Sequence, residues 1–354
     1  MNNPLFSENL SDVRAAINTT LADPEQRAEA LSGCAIDSEG KITLGDTLSQ
    51  APHGLYTFLA LAGGTSEAAL PTGIQRDSVK RLKLEDLQLN ELPPELKTFV
   101  NLESLELENN ALTEIPDAVR AMPRLQRLDL DHNNIQALPE WFGELTELIV
   151  LELEGNQLTH LPDTFRALTR LQRLDLDHND IQVLPEWFGE LTELQELELE
   201  RNQLTHLPDT FRALTRLQRL YLDHNNIQAL PEWFGELTEL QELVLEGNQL
   251  THLPDTLRAL TRLQRLDLDE NSLQALPEWI GELVWLKVLE CSDNQLTNIP
   301  EGIEALTALE TLTLDNNQLT NIPEGIAELP KLQILNIDNN PLTTLAEVFD
   351  SCLY

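Results

Sequence analysis

Carboxylates come in pairs at a fixed interval along this chain. Asp129 and Asp131, Glu152 and Glu154, Asp175 and Asp177, Glu198 and Glu200, and Asp267 and Asp269 form two rows, and Asp223 and Glu246 continue the second row where Tyr221 and Val244 interrupt the first. Residues two apart share one face of an extended strand, so each pair presents two acceptors side by side. Such an array could attract a basic partner or a hard cation, or be no more than a solvated surface. The stretch from Asp129 to Glu140 imitates part of a calcium loop, but the sharp turn required at its sixth position would fall on Asn134, and Asp129 to Asp131 read as strand. Calcium held between neighbouring strands is the better metal reading, and no metal ligands are assigned.

Other reactive side chains are sparse. Six of the seven histidines form two rows, His132, His178, His224 and His160, His206, His252. Members of a row stand two units apart, about 9–10 Å at the spacing of paired strands, too far to share a metal. They read as surface polar residues. Cys34, Cys291 and Cys352 are too few and too scattered for a disulfide framework, and their odd number fits a reducing compartment. The sequence contains no GxxxxGK[ST], GxSxG, HExxH or paired CxxC. No catalytic residue and no cofactor are assigned.

The interval that spaces the carboxylates also spaces a block of the form LxxLxLxxNxLxxLP. It begins at Val79, Leu102, Leu125 and every 23 residues to Leu332, and twelve units fill residues 79–354 without insertion. In one unit, Leu128 and Leu130 face inward from a short strand while Arg127, Asp129 and Asp131 face outward. Stacked strands form a parallel sheet whose apolar face needs cover, here from a returning segment with Ile135, Leu138, Phe142 and Leu145. A longer period lies on top: Leu125 to Arg170 and Leu171 to Arg216 differ at five positions only. Trp141, Trp187, Trp233 and Trp279 recur in every other unit, just before a core position, which predicts indoles on or near the back surface, packed over smaller neighbours or offering a second contact surface.

The pattern resembles the leucine-rich repeat family, and the 23-residue form with a Leu-Pro pair is similar to the intracellular Ras-group repeats and to bacterial leucine-rich repeat proteins, some of them secreted effectors. The resemblance implies an α/β solenoid, a horseshoe with a parallel concave sheet. It also implies a structural asparagine ladder through Asn110, Asn133, Asn156 and their successors to Asn340. The first unit departs with Leu87, and the tenth carries Cys291 where a core leucine is expected, as a small buried hydrophobe.

Residues 1–78 lie outside the repeat and read as an N-terminal α-rich cap. A helix is expected over about Asn9 to Leu21, a second from Asp23-Pro24-Glu25-Gln26 to a stop at Gly33, a hairpin through Ser38-Glu39-Gly40, and an apolar helix near Leu55 to Ala62. At the other end, Val348, Phe349 and Leu353 are spaced as one face of a short helix that could close the last unit; an end-to-end dimer or a longer parent chain are the alternatives.

Charge narrows the partner. With 23 basic against 60 acidic residues the formal net charge is −37, which repels nucleic acid and anionic membrane surfaces. At the fifth and seventh positions of the twelve units, 18 of 24 residues are carboxylates, and Arg127, Arg173, Arg219 and Arg265 offset part of that charge. Adaptation to high salt would also give a lysine-poor, carboxylate-rich chain. The expected function is recognition of a protein or peptide, basic in character, on the acidic concave face by a monomeric scaffold, with Tyr221 as an amphipathic anchor. The competing readings are a secreted effector with the repeats as targeting arm, and a consensus scaffold without a ligand. No signal peptide or membrane span is present, so a cytoplasmic location is expected, with signal-free export as the alternative.

Overall fold

The computed structural model describes residues 5, 10–37, 41–51, 54–65, 70, 74 and 76–343. The expected C-terminal helix and the hairpin turn at Ser38-Glu39-Gly40 lie outside the described residues. The chain forms two compact bodies, Met1–Gln157 with Pro162–Arg170 and Leu158–Leu161 with Leu171–Tyr354.

The first body opens with helices α1 (Leu10–Ala22), α2 (Pro24–Ala30), α3 (Asp46–Ser49) and α4 (Gly54–Gly64), and with the two-residue strands β1 (Ala35–Ile36) and β2 (Ile42–Thr43), which pair antiparallel. Asp23 caps α2 by accepting from the backbone of Glu25 and Gln26 at 2.9 and 3.2 Å. The Gln26 side chain donates to the Asp23 carboxylate rather than closing a reciprocal capping box. Gly33, at φ +76°, ends the segment where a side chain would be strained. Helix α4 is apolar almost all round, as a buried helix must be, with Phe58, Leu59 and Leu61 fully enclosed. It lies against the first turn of the repeats, Pro94–Thr98. Arg14 on α1 donates to the Tyr56 hydroxyl at 3.2 Å and pairs with Glu91, joining helices to repeat.

The repeat strands of the first body are β3 (Arg81–Lys83), β4 (Ser104–Glu106), β5 (Arg127–Asp129) and β6 (Val150–Glu152), parallel and in consecutive order. Those of the second are β7 (Arg173–Asp175), β8 (Glu196–Glu198), β9 (Arg219–Tyr221), β10 (Glu242–Val244), β11 (Arg265–Asp267), β12 (Val288–Glu290), β13 (Thr311–Thr313) and β14 (Ile334–Asn336), paired in the same way. The register is without slip: equivalent residues of successive units sit opposite one another, so Glu196 faces Arg219 and Leu197 faces Leu220. In the unit from Leu194, seven apolar side chains are enclosed, Leu194, Leu197, Leu199, Leu204, Leu207, Phe211 and Leu214. Each contributes about 2 kcal/mol of burial, but only while a neighbouring unit covers it.

The chain leaves every strand through a left-handed residue. All twelve eighth positions have φ between 47° and 64°, among them His132, His178 and His224 as well as Gly155 and Gly247. Ten of the twelve are not glycine and cost about 1–2 kcal/mol each. The asparagine that follows makes the turn tenable. Asn202 donates through Nδ2 to the carbonyls of Leu199 and Glu200 in its own unit and of Leu176 in the preceding one, while its Oδ1 accepts from Ile181 N at 3.0 Å. The first unit, with Leu87 at this position, needs a second left-handed residue, Gln88, and borrows Asn110, whose Oδ1 accepts from both Leu87 N and Leu89 N.

The returning segments are five-residue 3-10 turns that start after a proline, such as Glu186–Glu190 and Asp209–Ala213. A full α-helix is about 10–12 Å across with its side chains, twice the strand spacing, and the narrower 3-10 turn lessens that mismatch. Their packing alternates, which accounts for the 46-residue period. A side chain at Gly189 would place its Cβ 2.1 Å from Thr210 O, so glycine lets the next turn approach closely. The opposite gap is filled by tryptophan: the Trp233 ring lies 6.0 Å from Phe211 and 5.4 Å from Phe234, and its indole donates to Asp209 at 3.0 Å. Trp187, Trp233 and Trp279 are therefore buried rather than displayed on the surface, and Trp141 alone of the four is half-exposed.

Two outcomes follow for stability. Asn202→Ala strands several buried backbone groups and should cost about 3 kcal/mol in urea unfolding. Trp233→Ala should cost about 3–4 kcal/mol and Trp141→Ala about 1, a ranking that urea midpoints of the two variants measure directly.

Candidate partner-binding face

The outward faces of the strands carry the carboxylate rows, and parallel register brings each row's members into lateral contact. The side chains consequently shield one another. Of the fourteen residues assigned to the partner surface from sequence, Asp129, Glu152, Asp175, Asp177, Asp223, Val244 and Asp267 are buried; Asp131, Glu154, Glu198, Glu200, Tyr221, Glu246 and Asp269 are half-exposed. Half of these fourteen side chains are thus enclosed by their neighbours, Asp129 at 6% exposure and Val244 at 7%.

The fifth row is bound up in ion pairs. In the second body, Arg173 reaches Glu196 at 2.6 Å, Glu198 at 2.8 Å and Asp175 at 3.6 Å. Arg219 completes the bridge to Glu196, and Arg265 holds Asp267 and Glu290 at 2.8 Å each. In the first body Arg127 pairs with Asp129 at 3.4 Å and with Glu152. The third-position glutamates, Glu196 and Glu242, belong to the same network of contacts although they lie outside the fifth and seventh positions. The signal was present, since position three alternates Arg173, Glu196, Arg219, Glu242, Arg265. Burial pushes Glu196 up, but hydrogen bonds from Arg219 and Glu198 and the two guanidinium charges bring it below the usual carboxylate range. Tyr221 fills a gap in the row and donates its hydroxyl to Glu242 at 2.9 Å.

The seventh row works differently, and aspartate and glutamate divide the labour. The short Asp177 side chain accepts from Glu200 N at 2.6 Å, and Asp269 accepts from Ser292 N at 2.5 Å, so these aspartates tie one unit to the next. The longer Glu200 and Glu246 extend toward solvent, where Arg201 meets Glu200 at 2.8 Å and His224 lies 3.9 Å from Glu246. Burial, reinforced by the charge of Asp175, pushes Asp177 up to about 8 and Glu198 up to about 9. Burial also raises Asp223 to about 6, with Glu200 adding to it, and Asp269 to about 7, although the Ser292 amide opposes the latter shift.

Among the described residues, two groups could hold a cation: Asp175, Asp177 and Glu198, and Glu200, Asp223 and His224, each with ligand atoms within 4.8 Å of one another. The all-carboxylate first group has the hard oxygen donors that suit calcium or an ammonium group, whereas the second replaces one of them by an imidazole nitrogen. The histidine rows stay apart, as their spacing requires, but His224 joins carboxylates of its own row of turns. Cys291 is fully buried, its thiol raised by that burial, and fills a leucine position as a hydrophobe. Cys34 and Cys291 are free thiols.

The raised carboxyls set a pH dependence. A carboxyl whose value is higher in the folded than in the unfolded chain stabilises the fold fully below the unfolded value, about 4, and loses that contribution as pH rises through the folded value. For Asp223, Asp269, Asp177 and Glu198 the loss spans pH 4 to about 9. The melting temperature should therefore be higher at pH 5.5 than at pH 9, and Asp177→Asn should flatten the difference. Calorimetry at the two pH values reads both effects, and a higher melting temperature at pH 9 would contradict them.

A leucine-rich repeat region model matches residues 119–201 and 166–272, a leucine rich repeat model matches 77–135 and 277–349, and a single-repeat model matches 262–283. No curated protein sequence matches. Among solved structures, a leucine-rich repeat protein of Leptospira interrogans is 29% identical with a TM-score of 0.72, the match covering 97% of this chain and 90% of that one. The plant peptide hormone receptor RGFR1, solved in complex with RGF2, is 26% identical with a TM-score of 0.62; 82% of this chain matches about half of the receptor, 49%. An internalin of Listeria monocytogenes shares the fold at 21% identity and a TM-score of 0.68, over 84% and 92% of the two chains. Among the described residues, no helix is long and apolar enough to cross a membrane. Unslipped parallel strands, an asparagine at the turn of successive units and family models matching between residues 77 and 349 lead to one conclusion: the chain belongs to the leucine-rich repeat family.

Proposed function

We infer that the chain is a non-catalytic scaffold that recognises a protein or peptide partner, and that the partner presents basic side chains to the strand face of the second body. The observation that carries this reading is the division of the carboxylates. Arginines pair with the fifth row, whereas Glu200, Glu246 and Asp269 of the seventh row stay half-exposed, as does Tyr221. A partner lysine or arginine would offset the burial, and the lesser repulsion from neighbouring carboxylates, that favour protonation of Asp177, Asp223 and Asp269, so association is coupled to proton release. The plant receptor in complex with RGF2 supports a peptide or protein ligand through family membership, a weaker argument than the charges. Residues 1–78 serve as a cap, consistent with α4 lying against the first repeat turn. The free, buried thiols of Cys34 and Cys291 favour a reducing compartment.

The test begins with affinity capture of the partner by the intact chain and proceeds to its binding kinetics. Replacing Glu200 and Glu246 by Gln and Asp269 by Asn should slow association about tenfold at low salt and leave dissociation nearly unchanged, because exposed charges act on encounter. Asp175→Asn, inside an arginine pair, should alter stability more than the on-rate. An on-rate indifferent both to the triple substitution and to added salt would refute the acidic-face mechanism.

A further inference from the structure

The four repeat tryptophans are not equivalent. Trp233 and Trp279 donate their indole N–H groups to Asp209 and Asp255 of the preceding unit, at 3.0 and 3.1 Å, and both rings are buried. Trp141 has the corresponding aspartate, Asp117, at the same sequence distance, yet no hydrogen bond joins them and the ring is half-exposed. The reason lies in the unit that precedes it. Where Trp233 leans on Phe211, Trp141 has Val119, and Ala118 stands where Thr210 does. Beside the half-exposed ring lies a cavity of about 390 Å³, lined by Trp141, Pro139, Leu138, Ile115, Asp117 and Glu114 among others. At the thirteenth position of the alternate units His160, His206 and His252 recur, and here Glu114 takes that place, so the cavity has two exposed carboxylates and no basic lining residue.

An indole together with two carboxylates in a partly apolar hollow has the chemistry of an alkylammonium site: a ring face attracts a cation and the carboxylates neutralise it. We propose that the cavity between Trp141, Asp117 and Glu114 binds an organic ammonium group, supplied either by a lysine side chain of a partner or by a small free amine. It lies in the first body on the returning segments, and it does not depend on the acidic strand face of the second.

Indole N–H resonances of the ¹⁵N-labelled chain test this, since five tryptophans give five signals and Trp141→Phe identifies the relevant one. The chain is titrated with tetramethylammonium, with Nα-acetyl-lysine methylamide, and with tert-butanol as a neutral molecule of similar size, at constant ionic strength. The expected result is a saturable shift of the Trp141 signal with at least one cation and not with tert-butanol. A response to the lysine derivative alone assigns the ligand to a primary ammonium, and a response to tetramethylammonium alone assigns it to a quaternary amine; either supports the site. Glu114→Gln with Asp117→Asn, both at exposed positions, should weaken binding about tenfold while the other four indole signals stay in place as a check on folding. Absence of saturation with both cations, an equal response to tert-butanol, or undiminished binding in the double variant would overturn the proposal.

Discussion

The structure depends on how the backbone is satisfied where each strand ends. The chain must reverse away from the sheet within one residue, which it does through a left-handed eighth position in every unit, and the amides and carbonyls around that turn point into a layer closed to water. One asparagine side chain per unit supplies both donors and acceptor. Asn202 reaches three carbonyls and one amide spread over two units. Because part of each set belongs to the neighbour, the turn is complete only in a stack, and the same geometry fixes the distance and register at which the next strand arrives.

That register governs everything on the outward face. Strands about 4.8 Å apart hold like residues opposite like residues, so a charge chosen at one position becomes a row. Third-position arginines counter the fifth row, and alternate arginine and glutamate at position three let one guanidinium serve several carboxylates. In the seventh row the shorter aspartates tie successive backbones together and leave the longer glutamates to face solvent. The raised values of Asp177 and Glu198 record chiefly the cost of burying these carboxyls, to which the charge of Asp175 adds.

The return side answers the same spacing constraint by alternation. Glycine admits one neighbour closely and tryptophan fills the gap to the other, so two units, rather than one, form the structural period. Duplication of that pair preserves the packing, whereas the unit at Leu102, with Ala118 and Val119, does not supply the ring that a tryptophan leans on, and Trp141 stays half-exposed at the edge of a cavity. A second departure lies at Trp285, 64% exposed where the seven preceding units carry Glu or Arg. It was readable as a break in the alternation of Glu147, Arg170, Glu193, Arg216, Glu239 and Arg262, three of whose pairs bond across units.

The sequence by itself determined the unit, its register, the inward leucines and the asparagine turn, because each is set by residue type at a fixed spacing and repeats often enough to be unambiguous. The start of α2 was equally legible in Asp23-Pro24, where local bonds decide the cap. Tertiary structure alone decided which outward residues remain accessible. Asp175 and Glu200 look alike in the sequence, but one lies inside an arginine pair and the other at the rim of its row, and only side-chain length together with lateral neighbours distinguishes them. It also decided that Trp233 is buried and Trp141 is not. Their local sequences are the same, and the difference comes from the volume of residues one unit away, which no reading of a single repeat contains.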